Sequence, residues 1–288
     1  MEVFKLTLLP MLMLLLVSCT ADLREGALPS DEISFEDENH GRGLLAAASL
    51  EHGLDAWLKK KTLTVVMRDE WRGLMTKIAG RPWNKEDLLK VTFRNGTFTS
   101  RLTFIEGDRK GRTIGIQSWH TYERDSNELD FEFKENDDTT FWLPAFQYFF
   151  EIPFRIYNGE IVGWIGEAEL RGMLCDRVFV TWNKIEPHAE NDQYIVWINQ
   201  ETSRVELVQY TVRDAFRFVT GEIRFEDYRD IEGVQLPFKM TVSNLNSVYE
   251  DGDDYIHQVR IESAEWDVML DEELTLREDI EEIGDRKR

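Results

Sequence analysis

The sequence predicts a mainly β protein of the α+β class, in which one large, curved antiparallel sheet forms an incomplete β-barrel around an inserted aromatic helix. From Thr62 onwards, short segments of alternating apolar and polar residues are separated by turn signals such as Asn95-Gly96. Residues 141–154 interrupt this alternation with a strongly apolar stretch. Aromatic residues make up 12% of the chain, and nine of them are Trp, so we expect a sizeable folded core.

The first element is a leader. Lys5 precedes the apolar run Leu6–Val17, which at about a dozen residues is shorter than the roughly 20 needed to span a bilayer. The string that ends in Cys19, Leu16-Val17-Ser18-Cys19, resembles the lipobox of bacterial lipoproteins. That resemblance implies a signal peptide over residues 1–18 and acylation of Cys19, which would anchor the protein to a membrane.

The remaining chain divides into three parts. Residues 19–41 are polar and acidic, which is typical of a flexible tether that follows the lipidated Cys19. Residues 42–270 form the predicted domain and begin with an amphipathic helix over Leu44–Lys60. Residues 271–288 are rich in Asp and Glu, and we expect a solvated acidic tail there.

Alternation of apolar residues predicts about a dozen short strands in an antiparallel meander. The candidate strands are Leu63–Arg68, Leu74–Ala79, Leu89–Arg94, Thr97–Ile105, Thr113–Glu123, Leu129–Lys134, Ile161–Leu170, Arg177–Asn183, Gln193–Asn199, Arg204–Arg213, Phe216–Asp227, Gln235–Ser243 and Tyr255–Trp266.

The interruption, Phe141–Phe154, is predicted to be a helix capped by Thr139 or Thr140, with Pro144 in its first turn and Pro153 at its end. Apolar side chains surround nearly its whole circumference, so the helix must be enclosed. A curved sheet wrapped around it satisfies this requirement, whereas a membrane-dipping helix lacks the basic flanks that such helices carry.

This order of elements resembles the LolA/LolB-like superfamily of bacterial envelope proteins. Two strings add to the resemblance: His52-Gly53-Leu54 with Trp57, and Phe225-Glu226-Asp227-Tyr228-Arg229 followed by Gly233-Val234-Gln235-Leu236-Pro237. The resemblance implies a half-barrel that shelters the acyl chains of lipids or lipoproteins and needs no catalytic residue or cofactor. It also implies a monomer in the bacterial envelope, anchored to the outer membrane and facing the periplasm.

An apolar half-barrel predicts which side chains would line the cavity for an acyl chain. The inserted helix offers Trp142, Phe146, Phe149, Phe150 and Phe154, and the strands offer Trp182, Trp197 and Phe238. In the alternative interpretation, the same aromatic residues form a packed core without a ligand.

A second candidate function comes from three alternating carboxylates, Glu128, Asp130 and Glu132. The string resembles the E-x-D-x-E signature of retaining β-glucanases, in which the first Glu is the nucleophile and the last is the acid/base. On a strand, alternate positions share one face and meet the carboxyl spacing of a retaining enzyme, about 5–5.5 Å. The alternative is that these residues are the solvent face of a strand whose apolar residues point inward.

Charge and motifs exclude several classes of function. A net charge of −21 disfavours binding to nucleic acid. The five His are scattered and no phosphate-binding Gly loop is present, so we expect neither a metal site nor a cofactor. Cys175 is expected to be a buried, unreactive thiol. A third possibility is an assembly lipoprotein that docks on another envelope protein.

Overall fold

A computed structural model of the chain describes residues 20–24, 28, 32–73, 80–84, 87–213, 217–244 and 255–283. The strands are β1 (Thr62–Trp71), β2 (Leu89–Arg94), β3 (Ser100–Phe104), β4 (Thr113–Gln117), β5 (His120–Arg124), β6 (Glu132–Phe133), β7 (Ile161–Leu170), β8 (Met173–Thr181), β9 (Tyr194–Asn199), β10 (Val205–Thr211), β11 (Thr220–Ile231), β12 (Val234–Ser243) and β13 (His257–Trp266). The helices are α1 (Phe35–Glu51), α2 (Leu54–Trp57), α3 (Asp137–Arg155) and α4 (Asp271–Leu274), and a 3-10 turn, Ile156–Asn158, follows α3.

The 13 strands of the described residues form one antiparallel sheet in the order β6-β5-β4-β3-β2-β1-β13-β12-β11-β10-β9-β8-β7. Neighbours in the chain pair with each other, and the pairing of β1 with β13 joins the first six strands to the last seven. The sheet is open, with β6 and β7 as its edges. The predicted fold class, an incomplete barrel around an inserted helix, is therefore confirmed.

The predicted strand Thr113–Glu123 is wrong in one respect, because a tight turn divides it into β4 and β5. Ser118 and Trp119 form this turn with φ angles of 45° and 71°, in the left-handed region that two-residue hairpins require. Sequence patterns miss the turn because Ser and Trp are not the Asn or Gly that ordinarily adopt such angles. Of the other predicted strands, Leu74–Ala79 lies outside the described residues.

Helix α3 is longer than the sequence predicts. Its N-cap is Asn136, whose side chain accepts a hydrogen bond from the Thr139 amide at 2.9 Å. Pro144 therefore lies in the helix interior, and Pro153 does not end the helix, which continues to Arg155. Among its 19 residues only the two Asp of the first turn are exposed, so the predicted enclosure is confirmed.

The face of the sheet that packs against α3 is called the inner face, and the opposite face is called the outer face. Successive residues of a strand alternate between them, so Val196 belongs to the inner core whereas Ile195 and Trp197 belong to a second cluster on the outer face. Leu23, from the chain before α1, is buried in that second cluster.

The segment before α1 differs from the expected tether. Leu23 is buried and its amide donates to the Gln193 side chain at 2.9 Å. Helix α1 then begins at Phe35 rather than at Leu44, and Gly41 lies so close to edge strand β7 that a Cβ there would be 3.0 Å from the Trp164 amide nitrogen. The polar composition conceals this helix, because its buried side is narrow and contains a glycine.

The C-terminal segment also differs from the solvated tail that the sequence predicts. Leu274 is buried, and the side chain of Gln117 on the outer face accepts a hydrogen bond from the Leu276 amide at 2.9 Å. Arg94, on the same face, forms ion pairs with Asp271 and Glu282. Acidic residues are therefore held by the outer face through residue 283. None of the helices in the described part of the chain has the length and apolar character of a membrane span.

Candidate functional site: the aromatic helix on the inner face

Four of the five aromatic residues predicted on the inserted helix are buried against the inner face, and Phe149 is half-buried. The ring centres of Phe146 and Trp83 are 5.1 Å apart, and those of Phe150 and Phe93 are 5.7 Å apart. Trp142 and Phe154 are placed by similar ring contacts, Trp142 on Trp71 at 5.1 Å and Phe154 on Trp57 at 4.8 Å. The helix therefore fills the groove of the half-barrel with aromatic rings.

A buried acid lies beneath the N-terminal half of the helix. Asp69 accepts hydrogen bonds from the indole nitrogens of Trp71 at 2.5 Å and Trp83 at 2.8 Å, and it contacts His257 Nδ1 at 2.8 Å. The edge of Trp142 packs on both Trp71 and His257. Because each polar group is satisfied by another, this cluster can be buried without a large free-energy cost.

Sequence reasoning missed Asp69, although its position carried a signal. Alternation along β1 places Asp69 on the same face as Met67 and Trp71, which are core residues. A carboxylate in such a position requires partners, and the partner His257 lies 188 positions away in the chain. No local pattern reveals that pairing.

A row of polar side chains, Gln147, Glu151 and Arg155, fastens the helix to the β2–β3 turn. Gln147 Nε2 donates to the Arg94 carbonyl at 2.6 Å, and Glu151 accepts from the Gly96 amide at 3.2 Å. Arg155 pairs with Glu151 at 2.6 Å and donates to a carbonyl of the turn. Burial raises the pKa of Glu151, and the opposing effect of the Arg155 charge is smaller.

On its other side the helix meets β9 and β10 through half-buried rings, which we call the aromatic seam: Tyr148, Phe149, Trp182, Tyr194 and Tyr210. The ring centres of Tyr148 and Tyr194 are 5.8 Å apart, those of Phe149 and Tyr210 are 6.4 Å apart, and those of Trp182 and Tyr194 are 5.9 Å apart. Trp182, which the sequence predicts to line the cavity, is thus connected to the helix through Tyr194 of this seam.

A cavity borders the C-terminal half of the helix. It is lined by His52, Phe149, Phe150, Pro153, Phe225, Tyr228, Gln235 and Pro237. Its volume is about 10 Å³, which is room for about one water molecule. At this cavity there is no room for an acyl chain unless the helix moves away from the sheet.

Phe238 and Trp197, the other two strand residues predicted to line the cavity, lie on opposite faces of the sheet. Phe238 is buried in the inner core, and the guanidinium of Arg229 lies 4.0 Å from its ring centre. Trp197 packs in the outer-face cluster with Leu23 and Cys175, so the structure does not bring it together with the helix. Burial raises the pKa of the Cys175 thiol to about 12, in agreement with an unreactive cysteine.

The two strings that carried the resemblance pack against each other. Gly53 adopts a φ of +90°, and a Cβ there would lie 2.0 Å from the Gly233 carbonyl oxygen. His52 Nε2 accepts from the Val205 amide at 3.1 Å, and the ring of His52 packs edge-on against Tyr228. These residues join α1 to the β11–β12 hairpin, and their role is structural.

The three carboxylates of the glycanase alternative do not share a strand face. Glu128 and Asp130 lie in the exposed turn before β6, and only Glu132 belongs to a strand. Glu128 accepts a hydrogen bond from the Asp125 amide at 3.2 Å, as a turn residue does. The predicted strand Leu129–Lys134 is thus reduced to two residues, Glu132 and Phe133. The turn ends at Phe131, whose ring packs on Tyr122. Among the described residues no cluster of His, Cys, Asp and Glu is suited to a metal ion.

No protein-family model and no curated protein matches the sequence. Solved structures do resemble it in fold. A domain assigned to the outer membrane lipoprotein-sorting proteins, from Vibrio parahaemolyticus, has a TM-score of 0.53 at 9% identity, covering 83% of this chain and 97% of that one. A LolA superfamily protein from Nitrosomonas europaea has a TM-score of 0.48 at 10% identity, over 82% and 97%. A DUF1329 family protein from Desulfovibrio piger has a TM-score of 0.48 at 12% identity, over 81% and 95%.

The Vibrio domain carries the comparison, since its TM-score is the one of these three that exceeds 0.5 and the likeness extends over nearly its whole length. At such low identity the likeness concerns the fold and not the activity. This chain therefore has the same open half-barrel fold as that domain, in agreement with the half-barrel that the sequence resemblance predicts.

Proposed function

We propose that this chain is a lipid-anchored protein of the bacterial envelope that binds an acyl chain of a lipid or lipoprotein on its inner face, without catalysing a reaction. In this proposal Cys19, which lies outside the described residues, carries the anchor, and the domain faces the periplasm from the outer membrane. The lipobox string and the half-barrel fold support the proposal together.

One observation carries the ligand-binding part: helix α3 meets β9 and β10 through the half-buried rings of the aromatic seam. Buried hydrogen bonds and an ion pair hold it to the β2–β3 turn, whereas half-buried tyrosine and tryptophan rings form the seam with β9 and β10. Ring contacts are non-directional and can be replaced by contacts to methylene groups. An alkyl chain that enters the seam would therefore exchange one set of apolar contacts for another.

The proposed ligand-binding residues are those of the helix that face the sheet, Trp142, Phe146, Phe149, Phe150 and Phe154, with Trp182 at the seam and Phe238 in the inner core. Burial of a chain against them supplies about 25 cal/mol per Å² of apolar surface. Apolar contacts of this kind select for an alkyl chain and not for a particular head group. This agrees with an acyl-chain site of low chemical specificity.

The test uses the acylated protein, purified in mild detergent. Native mass spectrometry should show co-purifying lipid, and a fluorescent fatty acid should bind with a saturable signal. A protein that carries no lipid and takes up no fatty acid would refute the proposal.

A cross-link across the seam sharpens this test. In the double variant Tyr148→Cys and Tyr194→Cys, a short bis-maleimide joins the helix to β9, and uptake should fall strongly. Cys175 does not compete for the reagent, because it is buried and its pKa is about 12. The same variant before cross-linking is the control and should retain uptake. Equal uptake before and after cross-linking would show that the chain does not enter through the seam.

A further inference from the structure

The segment after the proposed anchor is fixed to one corner of the domain. The Ala21 amide donates to the Arg217 carbonyl at 2.8 Å, in the connection between β10 and β11. Arg213, which is 4% exposed, donates to the carbonyls of Ala21 at 2.5 Å and of Arg217 at 2.9 Å. One buried guanidinium therefore joins this segment to the β10–β11 connection.

The next residues extend this attachment along the outer face. The Leu23 amide donates to Gln193, and the Leu23 side chain is buried beside Trp197 and Phe179. Asp22 forms an ion pair with Arg24 at 2.9 Å, so its charge is compensated locally. Together with Arg213, these contacts fix the path of the chain from Ala21 to Arg24.

Chain geometry then limits the distance of the anchor from this corner. Cys19 precedes Ala21 by two residues, and two residues span at most about 7 Å. If Cys19 is acylated, as the proposed function requires, the Cα of the lipid-bearing residue lies within about 7 Å of the Ala21 Cα. Acyl chains lie in the bilayer, so Arg217, whose carbonyl accepts from the Ala21 amide, must lie close to the bilayer surface.

The exposed side chains at this corner suit that position. Arg217 is exposed, and the side chain of Phe218 is 68% exposed. A guanidinium forms paired hydrogen bonds with lipid phosphates, and a Phe ring gains free energy at the boundary between head groups and acyl chains. This corner offers a cation and an aromatic ring on a chain whose net charge is −21.

The aromatic seam lies at the same ends of the strands. Tyr210 is the penultimate residue of β10, Tyr194 is the first residue of β9, and Trp182 directly follows β8. Thr211, the last residue of β10, is bonded to Asp192 and Gln193 of the β8–β9 loop, so these ends lie side by side.

We infer that Arg217 and Phe218, just before β11, form a membrane-contact surface that touches the phospholipid interface, and that the seam opens towards the bilayer. The inference rests on the proposed anchor at Cys19 and extends it, because it assigns the orientation of the domain. An acyl chain that leaves the bilayer would then meet Trp182, Tyr194 and Tyr210 first.

The experiment places a fluorescent thiol label at one position of the acylated protein, bound to vesicles of phosphatidylethanolamine with a minor share of phosphatidylglycerol. Phe218→Cys is the test variant, and Leu58→Cys is the matched control because Leu58 is 66% exposed and lies near α2, away from the β10–β11 connection. Lipids that carry a nitroxide near the head group quench labels that touch the interface. The label at position 218 should be quenched several-fold more than the label at position 58.

Mass spectrometry of the N-terminus accompanies the quenching measurement, so that the orientation of the domain and the acylation of Cys19 are tested separately. An acylated, vesicle-bound protein with equal quenching at the two positions, or with stronger quenching at 58, overturns the inferred orientation and leaves the anchor intact. A mature chain without acyl groups overturns the anchor of the proposed function and the orientation with it. Quenching at 218 that Arg217→Glu reduces would identify the phosphate contact.

Discussion

His52 is a buried histidine whose two ring nitrogens are both occupied. Nε2 accepts from the Val205 amide at 3.1 Å, and Nδ1 faces the Gln235 carbonyl at 3.4 Å, which defines a neutral ring with its proton on Nδ1. Burial lowers the pKa of His52 to about 4, and the nearby charge of Arg204 acts in the same direction. Protonation would place a charge in the interior, so it is coupled to unfolding.

This coupling gives a prediction for the pH dependence of stability. The unfolded state takes up a proton at His52 near its ordinary pKa of 6.5, whereas the folded state does not until about pH 4. Stability is therefore fully present above pH 6.5 and is lost as pH falls towards 4, by up to about 3 kcal/mol. Urea unfolding at several pH values measures this loss.

In His52→Gln this component of the pH dependence should disappear, so the free energy of unfolding should change less between about pH 7 and pH 4. His120→Gln is the control, because His120 is exposed, and it should keep the wild-type slope. If His52→Gln loses stability as steeply as the wild type, His52 is not the group responsible.

The sequence predicts the position of some side chains in the fold, whereas it leaves the position of others open. The burial of Trp142, Phe146 and Phe150 follows from a helix that is apolar all round, which only an enclosed position can satisfy. Trp197 illustrates the opposite case, since a shift of one residue moves a side chain to the other face of a strand. Sequence alternation in β9 shows that Tyr194 and Trp197 face opposite sides, but it does not show which side contains the helix.

Among the elements, helix α3 depends most on its polar attachment to the β2–β3 turn. Glu151 and Arg155 form a buried i,i+4 pair at 2.6 Å, and both also bond to the turn. Loss of one charge from a buried pair leaves the other uncompensated, which is costly in the interior. The half-exposed pair Glu38 and Arg42 on α1 has the same spacing and orientation, and so provides a comparison in which water reaches both charges.

We predict that Glu151→Gln lowers the free energy of unfolding by about 2–3 kcal/mol, because Arg155 loses its counter-charge in a buried site. Glu38→Gln should change it by less than about 0.5 kcal/mol, since water and salt screen this half-exposed pair. Urea unfolding measures both values, and hydrogen exchange should show faster opening of α3 in Glu151→Gln alone. Equal effects of the two substitutions would contradict the proposed attachment.

The corner between α1 and the β11–β12 hairpin depends on a close backbone approach at Gly53. Gly53→Ala combines a positive φ with a Cβ placed 2.0 Å from the Gly233 carbonyl oxygen. Gly172→Ala shares a positive φ, +83°, but its Cβ would meet nothing within 4 Å. We therefore expect Gly53→Ala to be about 2 kcal/mol more destabilising than Gly172→Ala. Thermal unfolding of the two variants tests this, and equal melting temperatures would show that the hairpin moves aside.

Elements with strong local signals could be predicted, and those fixed by distant contacts could not. The bounds of β2 agree with the prediction because its apolar alternation is regular, and the β11–β12 hairpin carries Glu232-Gly233 at its turn. The C-terminal segment has no such pattern. It is ordered by contacts with the outer face near β2–β4, made by Arg94, Gln117 and Ser118. A composition rich in Asp and Glu therefore conceals an ordered segment.

At the scale of the whole molecule, one open sheet builds two different surfaces. Its inner face holds helix α3 in an apolar core to which Leu45 and Ala48 of α1 also belong, and its outer face is covered at one side by the segment before α1 and at the other by the C-terminal segment. Helix α1 packs along edge strand β7, and β6, the other edge, has only two residues. Covered or short edges oppose strand addition by another chain.

The central claim is that an acyl chain occupies the inner face by displacing helix α3 at the aromatic seam. Photo-cross-linking with a fatty acid that carries a diazirine near its methyl end tests this most directly, with the modified residues identified by mass spectrometry. The account predicts adducts on Phe149, Tyr194 and Tyr210 and on neighbouring residues of the inner face. Adducts confined to outer-face residues such as Phe179 and Trp197, or no saturable labelling, would contradict it.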